Sequence, residues 1–219
     1  SIGLEDSGFT PICALDSDKA ALQTYRLNRP HLAAERIIHA SIEQDVALRG
    51  LPAAPLVVGG PPCQGFSNAN RQRLSDDPRN QLYRRFLSAI DHCEAEVALM
   101  ENVPLMMSGL PKLQNDFIDH GFTCAAVKLN ALDFGAPQNR ERVFVLAVKT
   151  RNSEKFSKIF KYFQDQLLNE KSTSPTFTLA DAIMDLPVLE AKNIRNRTEL
   201  ENEKFGYTVS PHPKTLTTY

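Results

Sequence analysis

Six short apolar runs, separated by stretches of helical spacing, set the strongest limit on what this chain can fold into. They are Thr10–Leu15, Arg36–Ala40, Leu56–Val58, Glu96–Met100, Phe122–Leu129 and Val143–Val148. Each has the length and composition of a buried strand. Between them, Ser17 to Asn28 carries Ala21, Leu22 and Tyr25 at helical spacing, with Ser17 or Asp18 able to cap it. Leu82, Phe86, Ile90 and Cys93 fall at i, i+4, i+8 and i+11, the stripe of a helix packed on a sheet. A further helix is expected from about Leu105 to His120. Strand and helix alternating in this way predict an α/β fold with a parallel, doubly wound, Rossmann-like sheet.

Beyond Lys149 the pattern changes. A charged helical stretch covers about Ser153 to Lys171, a Ser/Thr/Pro linker follows near Ser172 to Pro175, and a short helix is expected at Leu179 to Leu186. The tail after Pro187 is polar and without clear period. We therefore expect one domain over residues 1–171, and over 172–219 a linker with the beginning of a smaller second lobe. The chain opens without methionine, partway through what reads as the helix after a first strand, and is expected to be a fragment.

Several function classes are excluded early. No apolar run approaches the length of a membrane span, and the start lacks a signal peptide's basic and apolar parts. A soluble intracellular protein is expected, in the cytoplasm or nucleoid of a prokaryote or the nucleus of a eukaryote. The four cysteines, at 13, 63, 93 and 124, form no CxxC pair, and the five histidines show no ligand spacing, so neither disulfides nor a metal are expected. Net charge is −1, which advertises no nucleic-acid partner globally. Locally, Arg71, Arg73, Arg79, Arg84 and Arg85 stand against only Asp76 and Asp77, a cluster that reads as a solvated face or as a phosphate contact.

Within this frame one cysteine is distinctive. Gly59-Gly60-Pro61-Pro62-Cys63-Gln64-Gly65-Phe66-Ser67 directly follows the run ending at Val58. Two prolines fix φ and remove two backbone donors, so the thiol sits on a stiff loop at a strand end, where open α/β sheets bind ligands. Cys63 could equally be a small buried hydrophobe. Its company favours chemistry. Glu101 ends the next strand, Gln138-Asn139-Arg140-Glu141-Arg142 precedes the last one, and Asp16 ends the first. An acid at Asp16's position can hold ribose hydroxyls or serve a helix cap. A thiol, an acid and two guanidinium groups suggest attack on an electron-poor ring activated by protonation. A cysteine phosphatase would need arginine at Ala69, and a redox enzyme would need a second nearby cysteine.

These residues identify a resemblance. Pro61 to Ser67, Glu101-Asn102-Val103, the stretch Leu129 to Gln138 and Gln138 to Arg142 together resemble the DNA cytosine C5 methyltransferases. Asp16-Ser17-Asp18 and Asp77 to Leu82 match more weakly, and Thr178 to Pro187 is similar to the family's approach to its target-recognition lobe. The resemblance implies an S-adenosylmethionine-dependent enzyme acting, as a monomer, on double-stranded DNA containing a target cytosine, without metal or membrane. It implies Cys63 as nucleophile at C6, Glu101 as the acid on N3 and the exocyclic amine, and Arg142 with Arg140 orienting the base. It places the cofactor near Asp16, Ser17, Ile42, Pro61 and Leu82, and the base near Pro62, Gln64, Ser67, Asn102 and Val103. The family's glycine-rich cofactor loop and its C-terminal motifs have no counterpart in the chain. Ser17 and Ser41 replace residues that the family often uses against adenine.

Each of these residues also has a plainer reading. Glu101 could be a helix N-terminal acid near Pro104, Arg140 and Arg142 surface ion pairs with Glu141, and Leu82 a core position. Two functional alternatives remain: the same chemistry on transfer RNA, and a catalytically silent relative that binds DNA or another subunit.

Overall fold

The computed structural model describes residues 2–62 and 81–184. Helix α1 (Ile2–Asp6) leads into strand β1 (Ala14–Asp16), helix α2 (Lys19–Leu27), strand β2 (Ile37–His39) and helix α3 (Asp45–Arg49). Strand β3 (Leu56–Gly59) precedes helix α4 (Gln81–His92), strand β4 (Val97–Asn102), a 3-10 turn at Pro104–Gly109 and helix α5 (Leu110–Asp119). Strands β5 (Phe122–Asn130) and β6 (Glu141–Lys149) are joined by a 3-10 turn at Ala131–Phe134, and helices α6 (Ser153–Thr173) and α7 (Leu179–Ile183) follow. The expected strands and main helices are present at close to their expected bounds. Three differ most: the first strand begins at Ala14 rather than Thr10, the last begins at Glu141 rather than Val143, and the helix expected from about Leu105 begins at Leu110 after the 3-10 turn.

Strand order corrects one expectation. β1 and β2 pair in parallel as a separate two-stranded sheet, while the larger sheet runs β3-β4-β6-β5. β3 and β4 are parallel, but β6 lies antiparallel to both β4 and β5. The sheet is therefore mixed rather than parallel throughout. The cause is chain length: β5 ends at Asn130 and β6 begins at Glu141, and so short a link cannot make the crossover that parallel neighbours require.

The core lies on one face of this sheet. Tyr83, Phe86, Leu87 and Ile90 of α4 and Leu113 and Phe117 of α5 pack on Ala98 and Met100 of β4, Val143, Val145 and Ala147 of β6, and Phe122 and Cys124 of β5. Strand alternation explains the selection. In β4 and β6 every second residue is buried, and the residues between them, Glu101 and Arg142 included, project to the other face. Tyr83 is buried but its hydroxyl donates to Asp116, tying α4 to α5. Burial, then Asp116, pushes that phenol up to about 12, so it stays a neutral donor. Arg29, just past the cap of α2, is also buried, and its Nε donates to Glu5 Oε1 at 2.8 Å, the pairing a buried charge requires.

Asp18 settles the choice of helix cap, because its side chain accepts from the N–H groups of Ala20 and Ala21 at 2.7 and 3.2 Å. Arg85, at one end of the basic cluster, is spent on structure. Its guanidinium donates to the Ile42 carbonyl at 3.0 Å and to Asp45 Oδ1 at 2.7 Å, joining α4 to the loop before α3 and to its first residue. The Arg85 guanidinium beside it lowers the Asp45 carboxyl below its usual range. No helix among the described residues is long and apolar enough to cross a membrane.

Gly59 is required where β3 ends, since a Cβ there would come within 2.7 Å of the Phe86 ring, itself locked in the core. Replacing Gly59 with alanine should cost about 1–3 kcal/mol of stability as an overpacking change. Urea unfolding of both proteins measures it, and an unchanged midpoint would show that the ring gives way freely.

Candidate functional site

Three segments converge beside the C-terminal ends of β3 and β4. Gly60, Pro61 and Pro62 leave β3, Glu101, Asn102 and Val103 end and leave β4, and Arg140 and Arg142 flank the start of β6. Together they line an open cleft of about 310 Å³. A depression of similar size, about 320 Å³, lies at the start of α6, where Lys158 pairs with Glu154 at 2.8 Å on open surface and no convergent set forms.

The antiparallel register determines how the acid and the guanidinium meet. Glu101 sits opposite Phe144, so Arg142, two residues before Phe144, shares Glu101's face on the diagonal. Arg142 Nε lies 2.9 Å from Glu101 Oε1. Arg142 also donates from a terminal nitrogen to the Glu141 carbonyl at 2.6 Å. The pair is partly solvated, with side-chain exposures of 24% for Arg142 and 41% for Glu101, so its stabilisation is at most about 1 kcal/mol. Its value is orientation. One carboxylate oxygen is held by Arg142, and the other, Oε2, would lie 3.2 Å from any Cβ added at Gly60. Gly60 therefore leaves the second oxygen room beside the loop. The plainer reading of Glu101 as a helix N-terminal acid does not apply, since it lies within β4 and pairs across to β6.

Asn102 lines the cleft and also has a structural role. Its side chain points into the protein at 6% exposure, donates from Nδ2 to the Pro61 carbonyl at 2.8 Å and accepts from the Val103 N–H at 2.9 Å. With one bond from each end of its amide, it braces the Pro61-Pro62 loop against β4 while remaining part of the cleft lining. Val103 is exposed at the rim. Arg140 is also exposed at the rim, and its side chain makes no hydrogen bond or ion pair to the other described residues.

The candidate cofactor residues are not gathered in this cleft, Pro61 excepted. Asp16 ends β1 with its carboxylate exposed; Oδ1 accepts from the Asp18 N–H at 2.8 Å, so the acid supports the cap from one step away. Its other oxygen remains an available acceptor, which fits a hydroxyl-bearing ligand. Ser17 offers its carbonyl to His39 Nε2 at 3.2 Å, joining the ends of β1 and β2. Ile42 packs against the edge of the core, and Leu82 is half-buried on α4. Cys63, Gln64 and Ser67, with Arg71, Arg73 and Arg79 of the basic cluster and the tail beyond Met184, lie outside the described residues.

A family model for C-5 cytosine-specific DNA methylase matches residues 1–215. The chain belongs to this family. Among curated relatives it is 38% identical over 187 residues to the Type II methyltransferase M.BspRI of Lysinibacillus sphaericus, covering 83% of the chain and 42% of the relative. It is 30% identical to M.DdeI of Desulfomicrobium norvegicum, covering 98% of the chain and 50% of the relative. Against M.AquIA of a Picosynechococcus strain, also at 30%, the shares are 85% and 84%. The chain thus spans about half the length of M.BspRI and M.DdeI but most of M.AquIA. A solved prophage-encoded DNA modification methyltransferase (E. coli) superposes with a TM-score of 0.66 at 26% identity, covering 90% of the chain and 55% of that structure. The methyltransferase of Schizosaccharomyces pombe named Dnmt2 shares the fold at a TM-score of 0.50 and 18% identity, over 94% of the chain and 62% of that structure.

Sequence reasoning missed two groups that build the cleft. Gly60 was read as part of the stiff loop, not as clearance for a carboxylate, and Asn102 was assigned to the substrate without its brace to the Pro61 carbonyl. Only the second left a readable signal: an asparagine in phase with Ala98 and Met100 on β4 belongs to the buried face. Asn102→Ala should strand the Pro61 carbonyl and Val103 N–H, lowering stability by about 1–3 kcal/mol. Thermal unfolding checks this; an unchanged midpoint would mean water replaces the amide without loss.

Proposed function

We propose that the protein carrying this chain transfers a methyl group from S-adenosylmethionine to C5 of a cytosine in DNA, with Cys63 as covalent catalyst. The observation that carries this reading is the Glu101–Arg142 pair, at 2.9 Å, facing a cleft whose wall includes Pro62. Cys63 directly follows Pro62 in the sequence.

Cytosine C5 is a weak nucleophile, and addition of a thiolate at C6 converts the ring into an enamine that is a strong one. Cys63 forms that C6–S bond. As it forms, Glu101 holds N3 protonated and accepts from the exocyclic amine, so the ring's electrons move toward a neutralised nitrogen. Arg142 keeps Glu101 in its stance, and the cationic edge it shares with Arg140 favours the thiolate and the base's O2. S-adenosylmethionine supplies an electrophilic methyl group, and Asp16, Ser17, Ile42, Pro61 and Leu82 are the residues assigned to hold it. The C5 proton then leaves to a base, the C6–S bond breaks, and the thiolate is released. Because C6 of a stacked base is inaccessible, the target nucleotide has to leave the helix. Residues 1–171 serve as the catalytic domain, and residues 172–219 begin the lobe that reads sequence.

Two predictions test the roles. Cys63→Ser should abolish methylation of DNA while leaving DNA binding close to that of the parent; retained transfer of labelled methyl groups would remove Cys63 from the mechanism. Glu101→Gln should slow covalent trapping on 5-fluorocytosine DNA by roughly 10²–10⁴-fold, the range for loss of a positioned acid. A near-normal trapping rate would make the carboxylate structural. Transfer RNA assayed in parallel separates the polymer substrates, and absence of any adduct despite DNA and cofactor binding would identify a silent relative.

A further inference from the structure

The link between β5 and β6 carries Arg140 and leads into Arg142, yet neither guanidinium holds the link in shape. That work falls to the side chain of Asn130, the last residue of β5. Its Oδ1 accepts from the Leu132 N–H at 3.2 Å and from the Arg140 N–H at 3.1 Å, and its Nδ2 donates to Asn139 Oδ1 at 2.7 Å. One amide thereby joins the first turn of the link to its last two residues. Around it the backbone closes on itself, with the Ala131 N–H donating to the Arg140 carbonyl at 3.0 Å and the Ala136 N–H to the Ala131 carbonyl at 3.2 Å. Gly135, at φ +81°, makes the reversal that this closure needs.

An asparagine capping a short turn is ordinary, and the bonds to Leu132 and Arg140 would stabilise any loop. The third bond is what distinguishes this residue. By holding the Asn139 side chain together with the Arg140 N–H, Asn130 ties the link at the cleft rim, one residue before Glu141 and two before the guanidinium that orients Glu101. The link is pinned from outside as well: Lys171 at the end of α6 pairs with Asp133 at 2.8 Å, and Gly135 lies beneath the Pro175 carbonyl, where a Cβ would come within 3.3 Å. The chain leaving α6 is thus docked on the same link that Asn130 braces.

We infer that Asn130 is a positioning residue, setting the stance of Arg140 and, through it, of the Arg142–Glu101 pair. This inference rests on the methyl-transfer reading for its kinetic arm and on the geometry alone for its structural arm. Asn130→Asp keeps the acceptor oxygen for both N–H groups, and an Asn139 amide turned over can donate to it. Asn130→Ala removes all three bonds.

The experiment compares these variants in the full-length protein by amide hydrogen exchange and by steady-state methylation. Asn130→Ala should speed exchange at Arg140 and Leu132 about ten-fold or more while leaving the β4 and β6 amides at Met100 and Val145 protected. It should lower kcat by roughly 10–100-fold, as expected for a displaced orienting group, with KM for S-adenosylmethionine unchanged. Asn130→Asp should restore most of both. Unchanged exchange at Arg140 overturns the inference, and so does a normal kcat in the alanine variant of an active parent. If the parent shows no methylation, the functional reading has failed, and the exchange comparison still decides the brace. If Asn130→Ala unfolds globally, Asn139→Ala at the exposed end of the third bond carries the test: faster exchange at Arg140 with a several-fold fall in kcat supports the brace, and neither change overturns it.

Discussion

The arrangement of this molecule depends on β6 running between β4 and β5 against the direction of both. Reversal brings the beginning of β6 to the end of β4, so the polar residues that open one strand meet the acid that closes the other. Had β6 run parallel, its first residues would lie at the opposite end of the sheet, and Arg142 could not approach Glu101. The Coulomb energy of the pair is small because both side chains are partly solvated. Strand register, fixed by the buried alternation of Ala98, Met100, Val143, Val145 and Ala147, holds the two groups together at the expense of the hydrophobic core and not of the charges.

That division of labour explains which parts of the structure were legible in the sequence. Apolar runs and helical stripes report burial directly, and burial is what selects strands and the packed face of α4. Strand direction is not reported by hydrophobicity at all. It had to be inferred from connection length, and the link from Asn130 to Glu141 contains the information in its shortness. Reading the whole series as parallel gave weight to alternation and overlooked the one gap too short for a crossover. The same oversight placed Glu141 and Arg142 before the last strand instead of inside it.

The site shows a similar contrast. Glu101 and Arg142 were identifiable because their chemistry suits a single reaction and they occur together with a cysteine loop. Asn102 was assigned to the substrate by its motif, although its phase along β4 points to the buried side, where it holds the Pro61 carbonyl. Arg85 was grouped with a basic cluster, yet its guanidinium closes the loop before α3 onto α4. In both cases the internal bonds went unread, since a sequence lists donors without stating where they point.

Direction also separates the two arginines of the cleft. Arg142 has an acid and a carbonyl to satisfy, which leaves it one orientation suited to holding Glu101. Arg140 is anchored only through its backbone, by Asn130 Oδ1 and Ala131, while its side chain is exposed at the rim. A guanidinium fixed at its root and free at its tip can follow a ligand entering from solvent; one fixed at both ends can only hold what is already in place. The cleft therefore combines an acid held by an ion pair with a cation exposed at its rim. Both depend on a ten-residue link, residues 131–140, whose shape is imposed from within by one asparagine and from without by the chain leaving α6.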